Sequence, residues 1–133
     1  MPSFRYRIKP FTHQGTRQEQ QDAFLVRQKD SILQVAVVDG MGGYEGGAEA
    51  AKLVSSVLVR EEDVATALST ANDELKNLNR TQYKHLTESD TPGAVGSLLQ
   101  FRFREGRVHI GHLGDTRVYL YRDGSVDQLT EDQ

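Results

Sequence analysis

Three aspartates and one arginine have the residue types and placement to do chemistry. Asp22 opens a segment in which apolar residues recur. Asp39 closes the most apolar run of the chain, Ile32 to Val38, and stands before Gly40-Met41-Gly42-Gly43. Asp115 follows Gly114 between two segments of period-two character, and Arg17 lies five residues ahead of Asp22. Strand ends bring side chains to the rim of a sheet, and a carboxylate beside an apolar run is costly unless a counter-charge meets it. A divalent cation is one such partner, and Mg²⁺ and Mn²⁺ favour carboxylate, carbonyl and water oxygens. Glycine after Asp39 lets the backbone come close to an ion, so the Gly40 carbonyl is a candidate ligand. Taken one at a time, these residues also have a plainer reading. Asp before Gly is common at turns, because Asp accepts local hydrogen bonds and Gly supplies positive φ. A lone loop arginine is ordinarily solvated.

The elements that must position these residues follow from periodicity. Phe4, Tyr6 and Ile8 alternate with Arg5, Arg7 and Lys9, which predicts a half-buried strand. Thr12 to Gln21 reads as a polar loop and Ala23 to Arg27 as a second strand. After a turn at Asp30-Ser31, the β-branched run Ile32 to Val38 predicts a strand buried on both faces. The period then changes. Ala50, Val54, Val57 and Leu58 recur at helical spacing, and Asp63 is a candidate N-cap for a second helix with the stripe Val64, Ala67, Leu68, Ala71, Leu75 and Leu78. Beyond a loop at Thr87 to Gly93 the period returns to two. Leu99, Phe101 and Phe103 lead to a turn at Glu105-Gly106, and Val108 and Ile110 run back to a break at His112-Leu113-Gly114-Asp115. Val118 and Leu120 resume, Asp123-Gly124 signals a hairpin, and Val126 to Leu129 begins another strand. Strands, two helices, then strands make an α+β layout with helices on an antiparallel sheet.

Bulk properties remove several function classes. The 133 residues, 37% apolar and 26% charged, suit one globular domain spanning 1–133. A net charge of −3 without a basic stripe argues against a nucleic-acid binder. The absence of cysteine excludes a thiol nucleophile, a thiolate zinc site and disulfides among these residues. Residues 1–10 lack the apolar core of a signal peptide, and no apolar run is long enough to span a bilayer, so a cytoplasmic protein without membrane contact is expected. His13, His85 and His109 read as surface or loop residues. No pair of histidines has H-x-x-x-H spacing, so a zinc hydrolase is disfavoured.

The motifs also match a family. Val37-Val38-Asp39-Gly40-Met41-Gly42-Gly43 resembles the VADGMGG signature of bacterial protein phosphatase 2C (PPM-type) domains. Gly15-Thr16-Arg17-Gln18-Glu19-Gln20-Gln21-Asp22 resembles their G-x-R-x-x-N-[EQ]-D stretch. His112-Leu113-Gly114-Asp115-Thr116-Arg117-Val118-Tyr119-Leu120 resembles HVGDSRAYL, and Arg122-Asp123-Gly124 with Gln128-Leu129-Thr130-Glu131-Asp132 resembles the RDG and QLTxDHS that follow. The resemblance covers the whole chain. It implies a two-layer antiparallel β-sandwich flanked by a helix pair, and a hydrolase of phosphoserine and phosphothreonine that works through two or three Mg²⁺ or Mn²⁺ ions. It further implies that Asp39 bridges two ions, that the Gly40 carbonyl binds one, that Asp22 holds an ion or its water, that Asp115 helps bind a third, and that Arg17 clamps the substrate phosphate. The implied partners are phosphoprotein substrates in signalling, a serine/threonine kinase or its targets.

The sequence departs from that pattern in places. Gln20 stands for Asn, Ala94-Val95 for Thr-Thr, Thr116 for Ser and Gln133 for His, and Met41 leaves no histidine after Asp39-Gly40 to protonate a leaving oxygen. The family's S-D-G and D-N blocks, whose aspartates complete the metal cluster, belong to a C-terminal half that these residues do not include. The expectation is therefore the N-terminal portion of the domain, with weak hydrolysis by these residues alone. Two other readings stand beside the enzyme: a non-catalytic phosphatase-like module that binds a phosphoprotein or partner domain through the Arg17 region, and a β-sandwich interaction domain that keeps the motifs only as structure.

Overall fold

The computed structural model describes residues 4–42 and 45–133. Its elements, in order, are β1 (Asp22–Lys29), β2 (Ile32–Met41), α1 (Gly47–Arg60), α2 (Val64–Gln82), a short 3-10 turn (Glu88–Asp90), β3 (Gly93–Arg102), β4 (Arg107–Leu113), β5 (Tyr119–Arg122) and β6 (Ser125–Gln128). The first four strands form one antiparallel sheet in the order β1-β2-β3-β4, and β5 pairs with β6 in a separate hairpin. Asp123 and Gly124 both take positive φ, 53° and 79°, which a two-residue hairpin of matching twist requires. The loop expected at Thr87 to Gly93 contains the 3-10 turn, and Gly93 already belongs to β3.

The core lies between one face of the sheet and the helix pair. Ala36, Val38 and Leu98 from β2 and β3 meet Ala51, Val54, Val57 and Leu58 of α1, all buried. Asp63 caps α2 as its sequence position suggests, its carboxylate accepting from the Thr66 N–H at 2.9 Å and the Thr66 hydroxyl at 2.8 Å. Ala67 and Ala71 bury the centre of the α2 stripe, with Val64, Leu68 and Leu75 partly covered. α2 also reaches β4. A Cβ on Gly111 would lie 2.6 Å from Val64 Cγ1, so glycine there sets how closely helix and strand approach.

The C-terminal end of α1 meets a polar patch of the sheet. Helix ends leave backbone carbonyls unpaired. Here Gln34 Nε2 donates to the Leu58 and Glu61 carbonyls at 3.2 and 2.6 Å, and Arg27 Nη1 to the Arg60 carbonyl at 2.9 Å. Gln100 Nε2 and Arg102 Nη2 donate to the Glu62 carbonyl at 2.5 and 3.0 Å, while Arg102 Nε donates to Gln100 Oε1 at 2.7 Å. Gln34 and Gln100 are buried yet hydrogen-bonded, as buried amides must be.

Two expectations need correction. Residues 4–8 form no strand, because their backbone meets no ladder among the described residues. Instead the Phe4 and Tyr6 rings stack on Phe103, with centroids 5.2 and 5.7 Å apart. Past Leu33, which is buried, β2 is covered on one face only. Ala36 and Val38 point into the helix layer and are fully buried, whereas Val37 on the other face is 49% exposed beside Phe24 and Val26. The apolar run is thus continuous although the helices cover one side alone.

Replacing Gln100 by Leu keeps an apolar volume in place but removes one of the two donors to the Glu62 carbonyl and leaves Arg102 Nε without its acceptor. The expected loss of stability is about 1–3 kcal/mol, the cost of leaving a buried polar group unpaired, read as a lower urea midpoint. An unchanged midpoint would mean the patch does not cap the helix.

Candidate active site

β1 and β2 pair in a register that sets Asp22 directly opposite Asp39. Opposed residues in an antiparallel ladder share a face, with Cβ atoms about 4.5–5.5 Å apart, so two carboxylates meet at the rim on the face away from the helices. Asp115 joins them from the segment after β4. Gly114, at φ 94°, makes the turn, and a Cβ there would strike the Val95 side chain at 2.3 Å. Burial raises the Asp39 pKa first, then the charges of Asp22 and Asp115, then a hydrogen bond shared with Asp22; only Arg17 pulls it down. The three aspartates named from sequence are therefore brought together.

Gly40 also has a packing reason for being glycine. A Cβ on it would lie 2.0 Å from the Gly47 carbonyl oxygen and 2.7 Å from that of Gln21. The Gly40 N–H itself donates to the Gln21 carbonyl at 2.9 Å. Gly47 is equally constrained, since its Cβ would meet the Gln21 side chain at 2.7 Å. Glycine is demanded here by the first turn of α1 closing onto the end of β2. That fixes the rim beneath Asp39. Gly43, the last glycine of the motif, lies outside the described residues.

The carboxylates line a cleft of about 480 Å³. Its walls include residues that the sequence reading passed over: Phe11, His13, Thr116 and Arg117. Arg117 is held by Asp132, its Nε 3.0 Å from Oδ1 and its Nη2 2.6 Å from Oδ2, a forked pair that raises the guanidinium pKa and lowers that of the carboxyl. Arg17 is placed less directly. Its carbonyl accepts from Gln14 Nε2 at 2.7 Å and its charge reaches Asp39, but it does not line the cleft. Only the position of His13 two residues before Gly15 hinted at its place.

His112 is a structural pin. Its Nε2–H donates to the Glu131 carbonyl at 2.9 Å, and its Nδ1 pairs with the Ser97 hydroxyl at 2.9 Å. Ser97 Oγ in turn pairs with the Thr116 hydroxyl at 2.7 Å. The chain from Thr116 to Glu131 is thereby fastened to the sheet, with help from the Gly114 carbonyl, which accepts from the Gln133 N–H at 3.1 Å.

Among the described residues no group of three or more His, Asp or Glu side chains is gathered closely enough to hold a metal ion by itself. The donor chemistry nonetheless suits a hard cation. Oxygen ligands predominate, and two like charges face each other with nothing but Arg17 to relieve Asp39. No helix of the described residues is long and apolar enough to cross a membrane.

A family profile described as protein phosphatase 2C matches residues 12–133. The chain belongs to the protein phosphatase 2C family. The serine/threonine phosphatase stp of Listeria welshimeri is 31% identical over 112 residues, 78% of this chain and 44% of that protein. A stage II sporulation E family protein from Thermanaerovibrio acidaminovorans superposes with a TM-score of 0.70 at 28% identity, covering 83% of this chain and 52% of that one. The catalytic domain of the phosphatase PstP, solved with two manganese ions, gives 0.61 at 29% identity over 88% of this chain and 51% of that one. The chain thus spans about half the length of the relatives it matches. The antiparallel sheet and helix pair are those of this family's phosphatases.

The raised Asp39 pKa has a stability consequence. Below the usual value of 3.8 the carboxyl is protonated both folded and unfolded and contributes nothing. As pH rises from 3.8 through the raised folded value, the unfolded chain ionises first and the fold loses stability, a loss that persists above that range. In the presence of EDTA, Asp39→Asn is therefore expected to melt above wild type at pH 7, with the gap closing as pH is lowered toward 3.8. A wild type that melts higher at pH 7 would contradict the like-charge account.

Proposed function

We propose that this chain carries the metal-binding rim of a metal-dependent protein serine/threonine phosphatase, and forms the N-terminal portion of a single phosphatase domain. The observation that carries the reading is the facing pair Asp22 and Asp39, with Asp115 alongside and the Asp39 pKa pushed up by burial and then by its like-charged neighbours. Asp39 would bridge two Mg²⁺ or Mn²⁺ ions, the Gly40 carbonyl would hold one of them, and Asp22 and Asp115 would complete the set with water. Bound ions of this kind acidify water and neutralise charge on a phosphoryl group.

The residues of the chain then have separate tasks. Arg17 offers a planar fork of donors that matches phosphate oxygens. Its loop stands beside the rim, which would place a phosphoserine or phosphothreonine near the carboxylates. Phe11 and Phe24 wall the cleft on its apolar side and limit water around the charges. The substrates proposed are phosphoproteins of cytoplasmic signalling, the targets of a serine/threonine kinase. One observation favours a second reading, a phosphatase-like module that binds phosphoproteins without turnover: no three-ligand group stands ready among the described residues.

Calorimetric titration with Mn²⁺ separates the two readings. Asp39→Asn is expected to weaken binding about tenfold or more, a loss of at least ~1.4 kcal/mol, and to do so more than Asp22→Asn or Asp115→Asn. Equal affinities in all three variants and wild type would remove the metal assignment and leave the non-catalytic module. Arg17→Ala is expected to keep the Mn²⁺ affinity and to weaken inorganic phosphate binding to the Mg²⁺-loaded chain about tenfold. Unchanged phosphate affinity would return Arg17 to an ordinary solvated loop residue.

A further inference from the structure

The loop ahead of β1 holds a histidine by its Nδ1. The Gly15 N–H donates to His13 Nδ1 at 2.9 Å. An imidazole that accepts at Nδ1 carries its proton on Nε2 when neutral. Gly15 makes this contact by taking φ 67°. A Cβ on Gly15 would meet nothing within 4 Å, so glycine is there for the turn and not for space. The Phe11 ring lies nearly parallel to the imidazole, 10° between planes and 6.5 Å between centroids. Gln20 Nε2 donates to Thr12 Oγ1 at 2.7 Å and ties the loop to its own far end. The imidazole so held lines the same cleft as Asp22, Asp39 and Asp115.

We propose that His13 is a substrate-positioning residue, whose Nε2–H donates a hydrogen bond to an anionic oxygen of a phosphate bound in the aspartate cleft. This rests on the phosphatase reading and deepens it. An imidazole that accepts from Gly15 at Nδ1 offers Nε2–H, and binding a metal through Nε2 would require moving that proton to Nδ1 at the cost of the Gly15 contact. It is also a poor proton donor, because giving up that proton would leave an imidazolate. What it can do is bind an acceptor. The cleft's other walls bring three carboxylates, which repel an anion, and Arg117, which Asp132 already engages. A neutral donor adds affinity for phosphate without cancelling the carboxylate charge that a cation needs. Loop 11–17 would then meet one phosphate with two different groups, the His13 N–H and the Arg17 guanidinium.

Two substitutions separate this role from a merely structural one. His13→Asn places an amide oxygen near the position of Nδ1, so it keeps the acceptor for Gly15 and loses the outer donor. His13→Gln places an amide nitrogen near the position of Nε2 and restores that donor. Calorimetry on the 133-residue chain, first with Mg²⁺ and then with inorganic phosphate added to the Mg²⁺-loaded protein, reads both events. The expected result is unchanged Mg²⁺ affinity in both variants, phosphate affinity lowered about tenfold or more in His13→Asn, and most of that affinity kept in His13→Gln. The reverse order, with Asn retaining and Gln losing affinity, would show that His13 only braces its loop and would overturn the inference. Phosphate affinity unchanged in both variants would overturn it as well. Wild type that binds Mg²⁺ but no phosphate overturns it while sparing the metal assignment, and wild type that binds no Mg²⁺ removes the phosphatase reading beneath it.

Discussion

The register of β1 on β2 is the constraint on which the rest of the rim depends. It pairs Ala23 with Val38 and Leu25 with Ala36 on the helix side, and it therefore pairs Asp22 with Asp39 on the other. Side chains in a strand alternate, so a slip by one residue would turn Ala36 and Val38 out of the core and bring their neighbours in. The buried face leaves no such freedom, because both residues are fully covered by α1. Hydrophobic burial along the strand thus holds two carboxylates opposite each other at its end, where they repel. Burial raises the Asp39 pKa, that repulsion raises it further, and the core sustains both.

α1 is fixed to this sheet at both ends by unlike means. At its start the contact is backbone on backbone: Gly40, Gly42 and Gly47 approach so closely that a Cβ on any of them would come within 3 Å of another main-chain or side-chain atom. At its end the contact is polar, with Gln34, Gln100, Arg27 and Arg102 donating to carbonyls that the helix leaves open. Neither device tolerates sliding. The glycine contact requires one position of the helix along β2, and the amide contacts require the same position from the opposite end. The rim beneath Asp39 inherits that rigidity, which a metal or phosphate site needs, since donors must stand in place before the ligand arrives.

Much of this was legible in the sequence, for reasons that can be stated. The strand, helix and hairpin periods were read correctly where one face is buried and the other polar, as in the α2 stripe capped by Asp63 and the Asp123-Gly124 turn. Asp22, Asp39 and Asp115 stood out because acidic residues beside apolar runs or after glycine are costly without a purpose. What failed was any reading that depended on partners distant in sequence. Residues 4–8 alternate as a strand does, yet alternation reports a half-buried face and not a ladder, and aromatic stacking on Phe103 satisfies the same pattern. The run Ile32 to Val38 carries no mark of which face is covered. The packing reason for Gly40 went unread because its clash partner, Gly47, comes from a helix whose start the sequence does not place in space. His13 and Arg117 enter the cleft through loop geometry, which periodicity does not describe.

The open face of the sheet bears on how the carboxylates behave. Phe24 pairs with Val37 one step further along the β1–β2 ladder on the same side as Asp22 and Asp39, and both apolar residues line the cleft with them. Asp39 next to such a wall is partly desolvated, so the repulsion within the pair is screened less than it would be on an open surface. The same lack of screening strengthens the attraction to any cation that enters. The apolar wall therefore acts in two opposite directions on Asp39. Without a cation it raises the pKa, and with one it strengthens the carboxylate's hold. A site of this kind responds to an ion through Phe24 and Val37 as well as through the aspartates themselves.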